Sequence, residues 1–169
     1  IMINPLDYQD RQARAFAFDK HRGQMYGDHP YRTHLRNVQK TWYEVLGFGN
    51  DETLVDTEDM IQWGDQGNSV CWLHDIIEDT EVTAIDLECS GFDKEVVGAV
   101  VLLTKESGIS REDYIKRLCN NKLAWTVKVA DTHSNLTESI KIGKVKWINK
   151  YTQQLQQLFK FKNFDMESK

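Results

Sequence analysis

This sequence predicts an all-α fold in a single domain, and three observations carry that prediction. Apolar residues recur at steps of three and four along most of the chain, strand-like alternation is nearly absent, and the two prolines, Pro5 and Pro30, stand where helices would begin. The 169 residues suit one domain, 1–169, which no linker, internal repeat or low-complexity tract divides. A content of 40% hydrophobic and 11% aromatic residues is enough to build a core and excludes global disorder.

Taken in order, Asp7 is placed to cap a first helix running to about Gln24, with Ala13, Phe16 and Ala17 on its buried face. Past Pro30, Leu35, Val38, Trp42 and Val45 repeat at helical steps, predicting a second amphipathic helix that stops at the Gly47-Phe48-Gly49 turn. Residues 49–67 are acidic, bounded by glycine and weakly periodic. They read either as a solvated loop with one short helical turn or as a lid over a pocket, since long irregular insertions in compact domains are often functional. A helix is expected from about Ser69 to Glu78. Asp93 then caps an apolar helix whose buried stripe is Val96, Val97, Val100 and Leu103. Ser110, with Asp113 three residues on, opens a short helix to about Leu118. Helices from Lys122 to about Ile140 and from Val145 to about Phe159 complete the set, before a tail that ends at residue 169. Ile148, Tyr151, Leu155 and Leu158 mark the core face of the last one.

Lys and Arg number 21 against 26 Asp and Glu, a net charge of −5, and the pI is near 5.5. That balance argues against a protein whose main task is to coat extended nucleic acid or an anionic membrane, since both need a positive face. No apolar run approaches the roughly 20 residues needed to span a bilayer. No basic stretch followed by an apolar one marks a secretory signal near Ile1. Three widely spaced cysteines (Cys71, Cys89 and Cys119), without a CxxC pair, fit a reducing, cytoplasmic setting.

One of the histidines is followed directly by an aspartate. By itself His74-Asp75 reads as a histidine capped by a carboxylate at a buried helix end, but its surroundings change that reading. In the stretch from Trp72 to Thr80, helical spacing puts His74 four residues from Glu78 and Asp75 four from Asp79. Four such groups amid Trp72, Leu73, Ile76 and Ile77 are costly to bury without a compensating cation, and a divalent metal supplies one. A metal held by one imidazole and one carboxylate needs ligands from other helices. His34, beside the core stripe of the second helix, and Asp131, directly after the run Val127-Lys128-Val129-Ala130, are the candidates. Asn135 lies one turn beyond Asp131 and shares its face. Either His34 or Asp131 alone reads as a polar group at the edge of the core. With His74 and Asp75 they make a two-His, two-Asp mononuclear cage, whose mixed N and O donors suit Mn²⁺, Fe²⁺, Ni²⁺ or Co²⁺, with Zn²⁺ also open.

The order H…HD…D formed by His34, His74-Asp75 and Asp131 resembles the HD-domain metal-dependent phosphohydrolases. Longer strings narrow the resemblance. Lys20-His21-Arg22-Gly23-Gln24, Gly27-Asp28-His29-Pro30-Tyr31-Arg32-Thr33-His34-Leu35, Leu73-His74-Asp75-Ile76-Ile77-Glu78-Asp79-Thr80 and Val127-Lys128-Val129-Ala130-Asp131…Asn135-Leu136 occur in that order. The series resembles the hydrolase domain of the RelA/SpoT proteins and the stand-alone small alarmone hydrolases of the metazoan SpoT type, over roughly residues 13–138.

The resemblance implies an HD-domain helical bundle. It implies removal of the 3′-pyrophosphate from guanosine tetra- or pentaphosphate (ppGpp or pppGpp), giving GDP or GTP plus pyrophosphate, with Mn²⁺. His34, His74, Asp75 and Asp131 would be the metal ligands. Glu78 and Asp79 would position and deprotonate the attacking water, and Asn135 would contact the nucleotide near its ribose. Where many relatives carry a basic pair before the glycine of the GxPY stretch, this chain reads Met25-Tyr26-Gly27. That leaves Tyr26 to stack on the base and Arg22 to supply the charge. Thr132 replaces the basic residue usual after the aspartate, and Glu138 stands where a small polar residue is common.

Lys128 either reaches a phosphate or is a surface lysine, and Lys20, His21 and Arg22 form either a small binding cluster or a solvated face. Lys141, Lys144, Lys146 and Lys150 share no helical face and read as solvated. The expected partner is a small-molecule nucleotide, not a membrane or an extended nucleic acid. Two other readings stand beside this one. The first is a phosphohydrolase for a different nucleotide, of dNMP or NADPH type. The second is a helical binding module without turnover, against which the retained Glu78-Asp79 pair counts.

Overall fold

In the computed structural model residues 5–50, 54 and 56–165 are described, with side chains from Gln9 onward. Helix α1 (Pro5–Lys20) leads into a hairpin of two-residue strands, β1 (Met25–Tyr26) and β2 (His29–Pro30). Helix α2 (Tyr31–Lys40) continues into a π-helical turn over Thr41–Val45. Then come α3 (Thr57–Leu73), α4 (Ile76–Asp79), α5 (Ala84–Cys89), α6 (Lys94–Leu103), α7 (Arg111–Leu118), α8 (Lys122–Lys141) and α9 (Val145–Lys160). Helix α3 is the axis of the bundle and packs against α1, α2, α6 and α8, while α9 lies along α8. One core, with Leu35, Trp42, Leu73, Ile76, Val96, Ile115 and Leu118 fully buried, joins these elements. Among the described residues no helix is long and apolar enough to cross a membrane.

The all-α expectation holds, with several corrections of detail. The first helix begins at Pro5, so Asp7 lies inside its opening turn and not at the cap, and the helix ends at Lys20, short of Gln24. Residues 25–30, where no strand was expected, form the antiparallel hairpin, pairing Met25 with Pro30 and Tyr26 with His29. Gly27 takes the positive φ of 56° that its two-residue turn requires. In the second helix Leu35, Val38 and Trp42 are buried as expected, but Val45 is 58% exposed. The π-helical turn adds a residue per turn there, which rotates Val45 off the apolar stripe. Asp93 sits at the start of α6 without capping it; its carboxylate accepts from Gln9 Nε2 at 3.0 Å and ties α6 to α1. Helix α5 was not anticipated, although Thr83 and Asp86 form its capping box.

The stretch read as a loop or a lid differs most. Residues 57–67 form the first part of α3, opened by Asp56, whose side chain accepts from the Glu58 amide at 3.0 Å. Residues 51–53 and 55 of that stretch lie outside the described residues. Gly64 and Gly67 are helical and buried, and Gly67 meets the ring of Trp42 so closely that a Cβ there would lie 2.0 Å from it. The expected helix from Ser69 to Glu78 is also broken in two. Helix α3 ends at Leu73, Asp75 takes φ −103° and ψ 2°, and α4 resumes at Ile76.

The α1–α3 contact carries a pH dependence. Asp65, 7% exposed, accepts from Gln9 Nε2 at 2.9 Å and from the Asp10 amide at 3.0 Å. Burial, only partly offset by those hydrogen bonds, pushes its carboxyl up to about 6. Because the folded value lies above the unfolded one, the contribution is fully present below about pH 4 and is lost as pH rises through about 6. Asp65→Asn is therefore expected to gain roughly 2 kcal/mol relative to the parent chain between pH 4 and pH 7. Urea unfolding of both proteins at the two pH values checks this, and parallel pH profiles would contradict it.

Candidate active site

The break at His74 and Asp75 builds the centre of the site. His74 caps α3 from inside the core, 1% exposed, and its Nδ1 lies 2.8 Å from the carbonyl oxygen of Cys71. A carbonyl only accepts, so Nδ1 carries the hydrogen and Nε2 of the neutral ring is a bare lone pair. That Nε2 is buried without a hydrogen-bond partner. It faces Asp75 Oδ2 at 2.9 Å and Asp131 Oδ1 at 3.7 Å. His34, projecting from α2, brings its Nε2 to 3.3 Å from Asp131 Oδ1 and 3.6 Å from Asp75 Oδ2. Two imidazole nitrogens and two carboxylates thus converge, and the bare Nε2 of His74 beside both carboxylates calls for a cation.

Among the described residues His34, His74 and Asp131 offer ligand atoms all within 4.8 Å of one another. Asp75 stands beside this trio, touching both histidines. The N₂O-type donor set fits a divalent transition metal. Without a metal, a proton takes that place. Burial alone would lower the His74 pKa, but Asp75 and Asp131 outweigh it and hold the ring well above its ordinary value. His34 is likewise raised against its burial by the same two carboxylates. Burial works against ionised Asp75 and Asp131 too. Yet the imidazoles beside both, and Lys128 beside Asp131, keep these carboxyls well below the usual range.

The surrounding groups fix the ligands in place. Lys128 Nζ donates to Asp131 Oδ2 at 2.9 Å, and Asn135 Nδ2 donates to Asp131 Oδ1 at 2.7 Å. The Tyr31 hydroxyl lies 2.9 Å from Asp79 Oδ2 and also contacts Asp75 Oδ2, tying the metal-facing carboxylate to the acidic pair. Burial and these carboxylates raise the Tyr31 pKa, so its hydroxyl stays a donor. Gln24 Nε2 donates to the Asp79 carbonyl at 2.8 Å, while its Oε1 faces His21 Nδ1 at 2.7 Å. His21, buried and stacked on Tyr31 at 4.6 Å, is therefore a support for the site. Glu78, exposed at the rim of the cleft, has its pKa raised, by partial desolvation first and with Asp75 adding, against the pull of Lys128.

The cleft over this centre has a volume of 440 Å³. It brings together nine of the ten residues read from the sequence as ligands, catalytic groups or substrate contacts, counting His74 at its floor. Arg22 is the exception: it pairs with Asp19 at 2.8 Å, its side chain is 82% exposed, and it does not line the cleft. Tyr26 lines the cleft by stacking on His34, with centroids 4.6 Å apart, and its hydroxyl donates to Asn135 Oδ1 at 2.6 Å.

The cleft also contains groups that sequence reasoning passed over. Lys105, Arg111 and Lys150 line it, together with Tyr114 and Tyr151. Lys150 had read as solvated and Tyr151 as core. The signal that could have found Lys150 is its place next to Tyr151, one residue off the apolar face of α9. Burial, with Arg111 and Lys128 nearby, lowers the Lys150 pKa. These cations crowd one another around a space that an anion would fill.

No family model matches the chain. A probable guanosine-3′,5′-bis(diphosphate) 3′-pyrophosphohydrolase of Mycoplasma pneumoniae is 35% identical across a stretch that takes in 57% of this chain. That stretch spans 16% of the relative's own length. A solved structure described as a metazoan ortholog of SpoT that hydrolyses ppGpp and plays a role in starvation responses superimposes with a TM-score of 0.66. It is 19% identical, and the superposition covers 94% of this chain and 89% of that one. The chain thus has the all-helical fold of a SpoT-type hydrolase, with a His-His-Asp cluster at its centre.

Proposed function

We propose that this chain is a metal-dependent phosphohydrolase, with Mn²⁺ as its cation, that removes the 3′-pyrophosphate from guanosine tetra- or pentaphosphate in the cytoplasm. The observation that carries the reading is the bare, buried Nε2 of His74 facing two carboxylates, beneath a cleft edged with cations. The sequence likeness to a pyrophosphohydrolase and the SpoT-type fold support the choice of substrate. Three unpaired cysteines support the compartment.

His34, His74, Asp75 and Asp131 would hold the metal. A divalent cation there supplies positive charge beside a phosphoryl group and lowers the pKa of water. Four carboxylates (Asp75, Glu78, Asp79 and Asp131) and four basic side chains (Lys105, Arg111, Lys128 and Lys150) line the cleft, so a divalent cation makes it positive. An acidic chain can in this way take a polyanionic nucleotide.

Glu78, its pKa raised towards the range useful to a base, takes the proton of the attacking water, and Asp79, held by Tyr31, orients that water. The water oxygen bonds to the phosphorus attached to the ribose 3′ oxygen, and the bond from that phosphorus to the 3′ oxygen breaks. The 3′ oxygen leaves with the bonding electrons and takes up a proton, giving GDP or GTP plus pyrophosphate. Lys105, Arg111 and Lys150 hold the phosphates in line, and Asn135 and Tyr26 border the sugar.

The purified chain with Mn²⁺ is expected to release pyrophosphate from guanosine tetraphosphate. Glu78→Gln is expected to lower kcat roughly 10²–10⁴-fold while retaining bound metal. Orthophosphate release from other nucleotides, with guanosine tetraphosphate untouched, would replace this reading. Absence of metal-dependent turnover across a nucleotide panel would overturn it.

A further inference from the structure

Beside the metal cleft lies a second hollow of 440 Å³, walled by Met25, Ile142 and Trp147. Tyr26, Asn135, Lys150 and Tyr151 line both spaces, so a ligand with phosphates over the metal centre can extend into the hollow. Met25 is 58% and Trp147 46% exposed, and a flat ring lying against them would bury apolar surface now left to water.

Three polar side chains of the hollow, Tyr26, Asn135 and Ser139, are committed within the protein. Asn135 accepts from Tyr26 and donates to Asp131, and the Ser139 hydroxyl donates to the Asn135 carbonyl at 2.7 Å. Asp28 is exposed. Glu138 is half-buried, with the Lys141 ammonium 3.8 Å from its Oε2, beyond hydrogen-bond length. Its carboxylate is a half-buried anionic acceptor on the wall of the hollow.

We propose that Glu138 reads the nucleobase in this hollow and selects guanine over adenine. The inference rests on the reading above, in which the phosphates sit at the metal centre. Guanine presents N1–H and the N2 amine side by side, two donors that the two oxygens of a carboxylate accept together. Adenine presents a bare N1 beside its N6 amine, so the same carboxylate meets one lone pair and gains one hydrogen bond. Selection by a charged acceptor discriminates because the mismatched base turns a lone pair, instead of a second donor, towards one oxygen of the carboxylate.

Calorimetry on the Mn²⁺-loaded chain, with GDP and ADP as probes, tests the readout without depending on turnover. GDP is expected to bind roughly tenfold or more tightly than ADP, and Glu138→Gln to erase most of that preference. In turnover, Glu138→Gln shifts kcat/KM for guanosine tetraphosphate against its adenosine counterpart by a similar factor, through KM. Equal affinity for GDP and ADP, or a preference unchanged in Glu138→Gln, overturns the base readout. A guanine preference that vanishes in Glu138→Gln, in a chain that releases no pyrophosphate, upholds the readout and overturns the hydrolysis reading alone.

Discussion

His74→Ala is expected to lose the bound cation and to lower pyrophosphate release roughly 10³-fold, since metal charge is worth several kcal/mol at 1.36 kcal/mol per tenfold in rate. The reason lies in the orientation of one ring. The Cys71 carbonyl fixes one hydrogen on Nδ1, so Nε2 is the nitrogen left to bind a cation, either a metal ion or a proton. Asp75 and Asp131 then need a cation, and removing the ring takes away a donor that the other three groups cannot replace. His74→Gln tests the same point with less cavity, because 1%-exposed His74 is also part of the core. Metal content per chain and kcat, read alongside far-UV circular dichroism, separate loss of the ion from loss of the fold. A folded His74→Gln protein that keeps one ion per chain would contradict the ligand assignment.

The largest expected effect on stability comes from adding one methyl group. Gly67→Ala places a Cβ 2.0 Å from the ring of Trp42. That ring is fully buried and anchored by its Nε1, which donates to Thr126 Oγ1 at 2.9 Å. It therefore has no free direction in which to yield. In an exposed helix the same change would gain about 1 kcal/mol in propensity. Here overpacking costs roughly 3 kcal/mol or more, so the net is a loss of at least about 2 kcal/mol. Gly64→Ala, three residues earlier in α3 and with no atom near its Cβ, is the control and is expected to be neutral or stabilising. Urea midpoints of the two variants decide the matter, and equal behaviour would mean that Gly67 is not placed by Trp42.

These two glycines also explain where sequence reading stopped short. Helical interiors disfavour glycine, and Gly64 and Gly67 in an acidic, weakly periodic stretch read as a loop. The close approach of Trp42 to Gly67, a contact between residues 25 apart in sequence, is what calls for glycine inside this helix, and no local pattern records it. Other elements were legible because they depend on local rules. The stripes Leu35-Val38-Trp42 and Val96-Val97-Val100-Leu103 are buried as their spacing predicted. The metal-facing groups were legible for a related reason. His34, His74 and Asp131 each interrupt or border an apolar stripe, so each must point inward, and inward-pointing polar groups meet near the centre of a small bundle. The cations of the cleft were not legible. Lys105, Arg111 and Lys150 come from a loop, the start of α7 and the body of α9. Only the packing of those elements makes them neighbours, and a solvated lysine and a phosphate-facing one look alike along the chain. Arg22 shows the converse error: it lies near the right motif, but α1 ends two residues before it and leaves it paired with Asp19.

The most direct test of the central claim, water-borne cleavage of a 3′-pyrophosphate at this metal cluster, is ³¹P nuclear magnetic resonance of the Mn²⁺-started reaction after removal of the cation, run in ¹⁸O-water with guanosine tetraphosphate. The expected result is GDP with unlabelled oxygen at its 3′ hydroxyl, and pyrophosphate carrying one ¹⁸O on a single phosphorus. Orthophosphate as the labelled product, label on the nucleoside, or an unchanged substrate spectrum would contradict the account.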